Sequence, residues 1–198
     1  MQKKMSKFII YQVLPRLFGN HNTTNKSNGS LEENGCGKFN HFTPKALKEI
    51  KLLGVTHVWY TGVIEHATQT DYTAFGIQKD HPAIVKGKAG SAYAIKDYYD
   101  VDPDLAENVQ NRMGEFERLV ERTREAGLKV IIDFVPNHVA RQYASDAKPD
   151  GVVDLGERDV TDHAFCPNNN FYYLPGQLFQ PQFDVDDYVE FPARATGN

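Results

Sequence analysis

An α/β fold built on a parallel sheet is what this 198-residue sequence predicts. Three observations carry that expectation: the apolar runs are nearly continuous, each later one directly follows a helical pattern ended by glycine, and the order is β-α-β-α-β. Strands buried on both faces read as unbroken apolar runs, and helices as crossovers cover those faces. The crossovers should be right-handed.

Phe8 to Leu14, "FIIYQVL", is the first strand, closed by Pro15. Residues 19 to 41 are polar and rich in Gly and Asn, which makes them a long loop. Thr43 and Pro44 then supply an N-cap and an N1 proline. Ala46, Leu47, Ile50 and Leu53 recur at helical spacing, and Gly54 ends that helix. Val55 to Tyr60 is the second strand. Phe116, Leu119, Val120 and Thr123 line a second helix, Gly127 closes it, and Leu128 to Val135 is the third strand.

Composition narrows the function classes. The chain is 40% hydrophobic and 24% charged with a net charge of -4, so nothing electrostatic favours a nucleic-acid partner. No run approaches the roughly 18 apolar residues of a membrane span. Gln12 and Arg16 interrupt the N-terminal apolar stretch and no small-residue cleavage site follows, which argues against a signal peptide. Cys36 and Cys166 lie far apart without Cys-x-x-Cys spacing; free thiols and a reducing, cytoplasmic location are expected.

Two stretches do not fit a compact repeat. Residues 61 to 106 separate the second strand from its helix, and residues 139 to 198 are irregular and rich in Asp, Asn, Pro and aromatics. Both leave the carboxyl ends of strands, where α/β barrels and open sheets place their binding sites. Three strands are too few for either architecture. Since the chain stops at "ARATGN" without a helix over the third strand, it is expected to be the front part of a longer polypeptide.

Chemistry concentrates at those carboxyl ends. In "DFVPNH", Asp133, Asn137 and His138 stand at the carboxyl end of the third strand. They read either as a capped turn or as a carboxylate, a hard amide oxygen suited to calcium and an imidazole donor facing a cleft. In "GSAYAIKDYYDVDPDLA", Gly90 to Ala106, Tyr93, Tyr98 and Tyr99 interleave with Asp97, Asp100, Asp102 and Asp104. Rings that pack on sugar C–H faces beside acids that accept hydroxyls suit carbohydrate; core tyrosines in a solvated turn are the plain alternative. "GKAGSA" at Gly87 lacks P-loop spacing, and no His-Glu-x-x-His helix is present for zinc.

"DFVPNH" resembles the first signature of the alpha-amylase family of glycoside hydrolases, Asp-x-Val-x-Asn-His. "YAIKDYYDVDP" is similar to the stretch preceding it, and "YQVLPRLF" to that family's first strand, all in order between residues 8 and 138. The resemblance implies that residues 1–138 are strands one to three of a (β/α)8 TIM barrel and that 139–198 are an incomplete inserted domain B. It implies substrate-binding roles for Tyr93 and His138 on one pocket rim, supporting carboxylates in Asp133 and Asp97, and a structural calcium ligand in Asn137. It also implies a retaining hydrolase of α-glucosidic bonds in starch-like glucans or maltooligosaccharides. The nucleophilic Asp, the Glu acid/base and a third Asp are expected beyond Asn198, so no catalytic residue is assigned within the chain, which is expected to be inactive alone. A non-catalytic relative of the transporter heavy-chain type, or a transferring, branching or trehalose-directed member, would share these strands. Ala92 stands where the family usually has Gly, and "DLAENVQ" where a Gly often follows Asp-Pro. "DVDD", Asp184 to Asp187, lacks the Gly and distal Glu of a calcium loop and reads as a solvated acidic turn.

Overall fold

A computed structural model describes residues 7–177. Three parallel strands form the main sheet: β1 (Ile10–Val13), β2 (His57–Tyr60) and β5 (Lys129–Ile132), with β2 in the centre. Ile10 pairs with His57, and His57 with Lys129, so the three strands run in step. Among the described residues the sheet does not close into a barrel.

Helix α2 (Pro44–Leu52) begins where Thr43 Oγ1 accepts from the Ala46 N–H at 3.2 Å, and Pro44 loses nothing by lacking a donor in the first turn. It buries Leu47 and Ile50. Helix α3 (Arg112–Glu125) buries Leu119 and Thr123. Each helix is followed by a glycine at positive φ, Gly54 at 82° and Gly127 at 72°, which turns the chain into the next strand.

The core lies where these helices meet the sheet. Phe39, Phe42, Leu47, Val58, Tyr60, Leu119 and Leu128 share one buried cluster, and the Phe42 ring meets Tyr60 edge-on with centroids 5.0 Å apart. The Thr123 hydroxyl donates to the Leu119 carbonyl at 2.7 Å, so the Tyr60 hydroxyl, also 2.7 Å away, donates to Thr123. Burial pushes the Tyr60 phenol up to about 12, so it stays a donor. Replacing Tyr60 with Phe removes this one bond and leaves Thr123 satisfied. The expected loss is about 1 kcal/mol in denaturant unfolding.

Three expectations need correction. The strands are shorter than the apolar runs because Phe8 and Ile9 are exposed beyond the paired region, as is Phe134. The loop 19–41 contains a short helix, α1 (Leu31–Asn34), held by a capping box in which Ser30 N donates to Glu33 Oε2 at 2.9 Å and Glu33 N to Ser30 Oγ at 3.3 Å. The stretch 61–106 holds a second, antiparallel sheet of β3 (Ile64–His66) and β4 (Ile95–Val101).

Beyond β5, residues 133–177 contain no helix or strand. Side chains organise them instead: Asp159 accepts from the backbone N–H groups of Asn170 and Phe171, each at 2.9 Å, and from the Tyr173 hydroxyl at 2.9 Å. Asp184 to Asp187 lie outside the described residues. Cys36 and Cys166 are free thiols.

Candidate functional site

Asp133 follows the last residue of β5 and commits both carboxylate oxygens to protein donors. Oδ1 accepts from the Trp59 indole Nε1–H at 2.6 Å, and Oδ2 from the Gly62 N–H at 2.8 Å. The carboxylate thus braces the carboxyl end of β2 against that of β5. Gly62 has φ of 69°, and a Cβ there would sit 3.1 Å from Ala92 Cβ. A small residue at 92 therefore lets the loop carrying Tyr93 close on the end of β2. Tyr93 is 47% exposed; partial burial and the Asp133 charge raise its phenol above the ordinary range. Asp133, Trp59, Gly62 and Tyr93 make one wall.

Asn137 and His138 follow Asp133 by four and five residues. Both are exposed, with Asn137 Nδ2 3.3 Å from His138 Nδ1. They line a depression of about 360 Å³ with Tyr98, Phe134, Tyr143 and Phe171. The Tyr98 hydroxyl donates to the carbonyls of Val135 and, at 3.5 Å, His138, which holds the turn in place. Tyr93 is not among the residues lining this depression. Tyr93 is placed beside Asp133, and His138 in this depression. Asn137 offers one amide oxygen on an exposed turn, whereas calcium takes about six to eight oxygens.

Asp97 is fully buried on β4. Its Oδ1 accepts from the Tyr99 N–H at 2.7 Å and its Oδ2 from the Ala147 N–H at 2.8 Å. Burial raises its carboxyl above the usual range. Along the same strand Ala140 N donates to the Ile95 carbonyl at 2.6 Å and Ala144 N to the Lys96 carbonyl at 3.2 Å. Asp97 therefore fastens the segment after β5 onto β4, away from solvent.

A charged network also forms around Asp102 and Asp104. Arg16 donates to Asp104 and stands 3.6 Å from Asp102; the Tyr72 hydroxyl donates to Asp104 Oδ1 at 2.6 Å. Lys38 Nζ donates to the carbonyls of Asp104 and Ala106 at 2.6 and 3.1 Å, and His66 Nε2 lies 3.5 Å from Asp102. Burial opposes the Arg16 charge, yet Asp102 and Asp104 hold the guanidinium above its ordinary range. In the sequence, Arg16 stood out only as a charge interrupting an apolar run. Its partners are some 90 positions away, beyond the reach of local patterning.

The family Alpha amylase, catalytic domain, matches residues 12–169, which include β2, β5, the end of β1 and Tyr93, Asp97, Asp133, Asn137 and His138. The chain belongs to the alpha-amylase family. Among curated relatives, amylase-family residues here are 27% identical over 153 positions to a cyclomaltodextrin glucanotransferase of Geobacillus stearothermophilus, covering 71% of this chain and 19% of that protein. They are 30% identical over 128 positions to Maltase A1 of Drosophila melanogaster, covering 65% and 16%. An amino acid transporter heavy chain SLC3A1 of Rattus norvegicus is 39% identical over 51 positions only, or 26% of this chain and 7% of that one. This amylase-family chain thus spans under a fifth of the length of the first two. No helix among the described residues is long and apolar enough to cross a membrane.

Proposed function

We propose that this chain supplies part of the sugar-binding wall of an enzyme that hydrolyses α-glucosidic bonds of starch-like glucans or maltooligosaccharides with retention. One observation carries the reading: the catalytic-domain match runs across Tyr93, Asp133, Asn137 and His138 in sequence order. Retention needs a carboxylate nucleophile and a carboxylic acid/base flanking the scissile bond. The reading keeps Asp133 as a supporting carboxylate, in keeping with its bonds to Trp59 and Gly62. The reading assigns the reacting carboxylates to barrel strands beyond the three that this chain matches. Tyr93 offers its exposed ring as a platform for a sugar C–H face, and His138 offers ring nitrogens to hydroxyls. Maltase and glucanotransferase relatives differ in whether water or a sugar accepts the glucosyl group; hydrolysis is the simpler assignment, because water needs no acceptor subsite.

Trp59 is the one tryptophan in the chain, and it bonds Asp133 beside Tyr93. Its fluorescence therefore reports on this wall. Titration with maltoheptaose should change the emission saturably, with Tyr93→Ala weakening the apparent affinity roughly tenfold, equivalent to about 1.4 kcal/mol. A cellooligosaccharide should produce no such change. An equal response to both sugars, or none to either, would overturn the assignment. The chain alone should leave a chromogenic α-glucoside intact.

A further inference from the structure

Glu65 on β3 is 1% exposed and pairs across the small sheet with Asp97 of β4. Neither of its carboxylate oxygens has a hydrogen-bond partner among the described residues. Buried polar groups are ordinarily satisfied, and like charges directly opposite across two strands repel. The register shifts on both sides of Glu65: Ile64 pairs with Val101, Glu65 with Asp97 and His66 with Ile95. Such irregularities re-aim side chains. Here oxygens of Glu65, Asp100 and Asp146 all lie within 4.8 Å of one another. Asp146 comes from the segment after β5, adjacent to Ala147, whose N–H bonds Asp97.

The nearby cations are already engaged. Arg112 Nε donates to Asp100 Oδ2 at 2.7 Å and its NH2 group to Asp146 Oδ2 at 3.2 Å. Lys96 Nζ donates to Asp80 Oδ2 at 2.9 Å and to the Gln78 carbonyl. Neither donates to Glu65. Burial first, then the charges of Asp146, Asp100 and Asp97, push the Glu65 carboxyl up to about 9.

We propose that Glu65, Asp100 and Asp146 bind one divalent cation, and that calcium is the ion preferred. The donors are carboxylate oxygens, which suit hard cations, whereas zinc and copper favour nitrogen and sulfur. The three oxygens lie within 4.8 Å of one another, close enough to share one ion, and calcium accepts about six to eight oxygens in flexible geometry. Magnesium demands near-ideal octahedral geometry and gives up its waters reluctantly, so it fits a protein carboxylate cluster less well. Arg112 then acts as an outer partner that orients Asp100 and Asp146. The bound ion joins β3, β4 and the segment after β5. It is independent of the sugar-binding reading, because none of the three carboxylates lines the His138 depression.

The test is calorimetric titration of calcium chloride into the chelator-stripped protein, paired with thermal unfolding in calcium and in EDTA. One calcium per chain should bind, and the melting temperature should rise with calcium. Glu65→Gln and Asp146→Asn should each weaken binding at least tenfold and abolish the rise. Glu65 is buried, so its variant could fail to fold; Asp146, exposed on an irregular segment, then decides the matter by itself. Absence of saturable heat in the native chain, or native affinity in Asp146→Asn, overturns the site and leaves Glu65 as a buried neutral acid. Magnesium binding as tight as calcium overturns the choice of ion.

Discussion

Replacing Arg16 with Leu should cost about 3–5 kcal/mol of stability, read as a lower midpoint in urea or guanidinium at unchanged slope. The magnitude follows from what is left behind. The Asp104 side chain is wholly buried and that of Asp102 1% exposed, and Arg16 faces both. Leu matches the stem of Arg16 but brings no positive charge, so two carboxylates stay enclosed with the Tyr72 hydroxyl on Asp104, the Asp104 N–H on Asp102, and His66 3.5 Å from Asp102. Arg16→Lys restores charge without the planar fork and should recover only part of the loss. Removing the acid as well, in Arg16→Leu with Asp104→Asn, should be milder than the sum of the single changes, because the uncompensated charge goes with its partner. Strict additivity in that cycle would mean the network does not hold β1 to the 102–106 turn.

What could be read from the sequence divides along this line between local and distant determinants. Helix α2 was legible at both ends, since Thr43, Pro44 and Gly54 are neighbours in sequence of what they cap. The order of the main sheet was legible too, because Val58, Tyr60 and Val130 repeat an apolar pattern with a helix between. β4 was not. Its seven residues, "IKDYYDV", bury Lys96, Asp97 and Asp100, three charged side chains that no propensity scale puts inside a strand. They are tolerated because Lys96 meets Asp80, Asp97 meets the N–H of Ala147, and Asp100 meets Arg112, at sequence separations of 16, 50 and 12. Such partners appear only once the chain has folded. At the site, the identities of Tyr93, Asp133, Asn137 and His138 were readable as a set, but their arrangement was not. The role of Trp59 depends on a carboxylate 74 positions later.

That carboxylate also sets the second large effect. Asp133→Asn should destabilise the chain by about 2–4 kcal/mol, nearly as much as Asp133→Ala, although Asn is almost isosteric. Asp133 receives a donor on each oxygen, one from Trp59 and one from Gly62. An amide has a single acceptor oxygen, so whichever donor keeps its partner, the other faces an NH2 group. Flipping the amide exchanges one orphan for the other. Adding Trp59→Phe to the Asp133→Asn variant should rescue much of the loss, because it removes the indole N–H and lets the amide oxygen serve Gly62. A plain surface acid would behave differently, with Asn harmless and Ala only slightly worse. The emission maximum of Trp59 offers an independent readout, since losing the 2.6 Å bond to Asp133 changes the polarity around the indole. Asp133→Asn with native stability and native emission would show that the ends of β2 and β5 are held by backbone pairing alone.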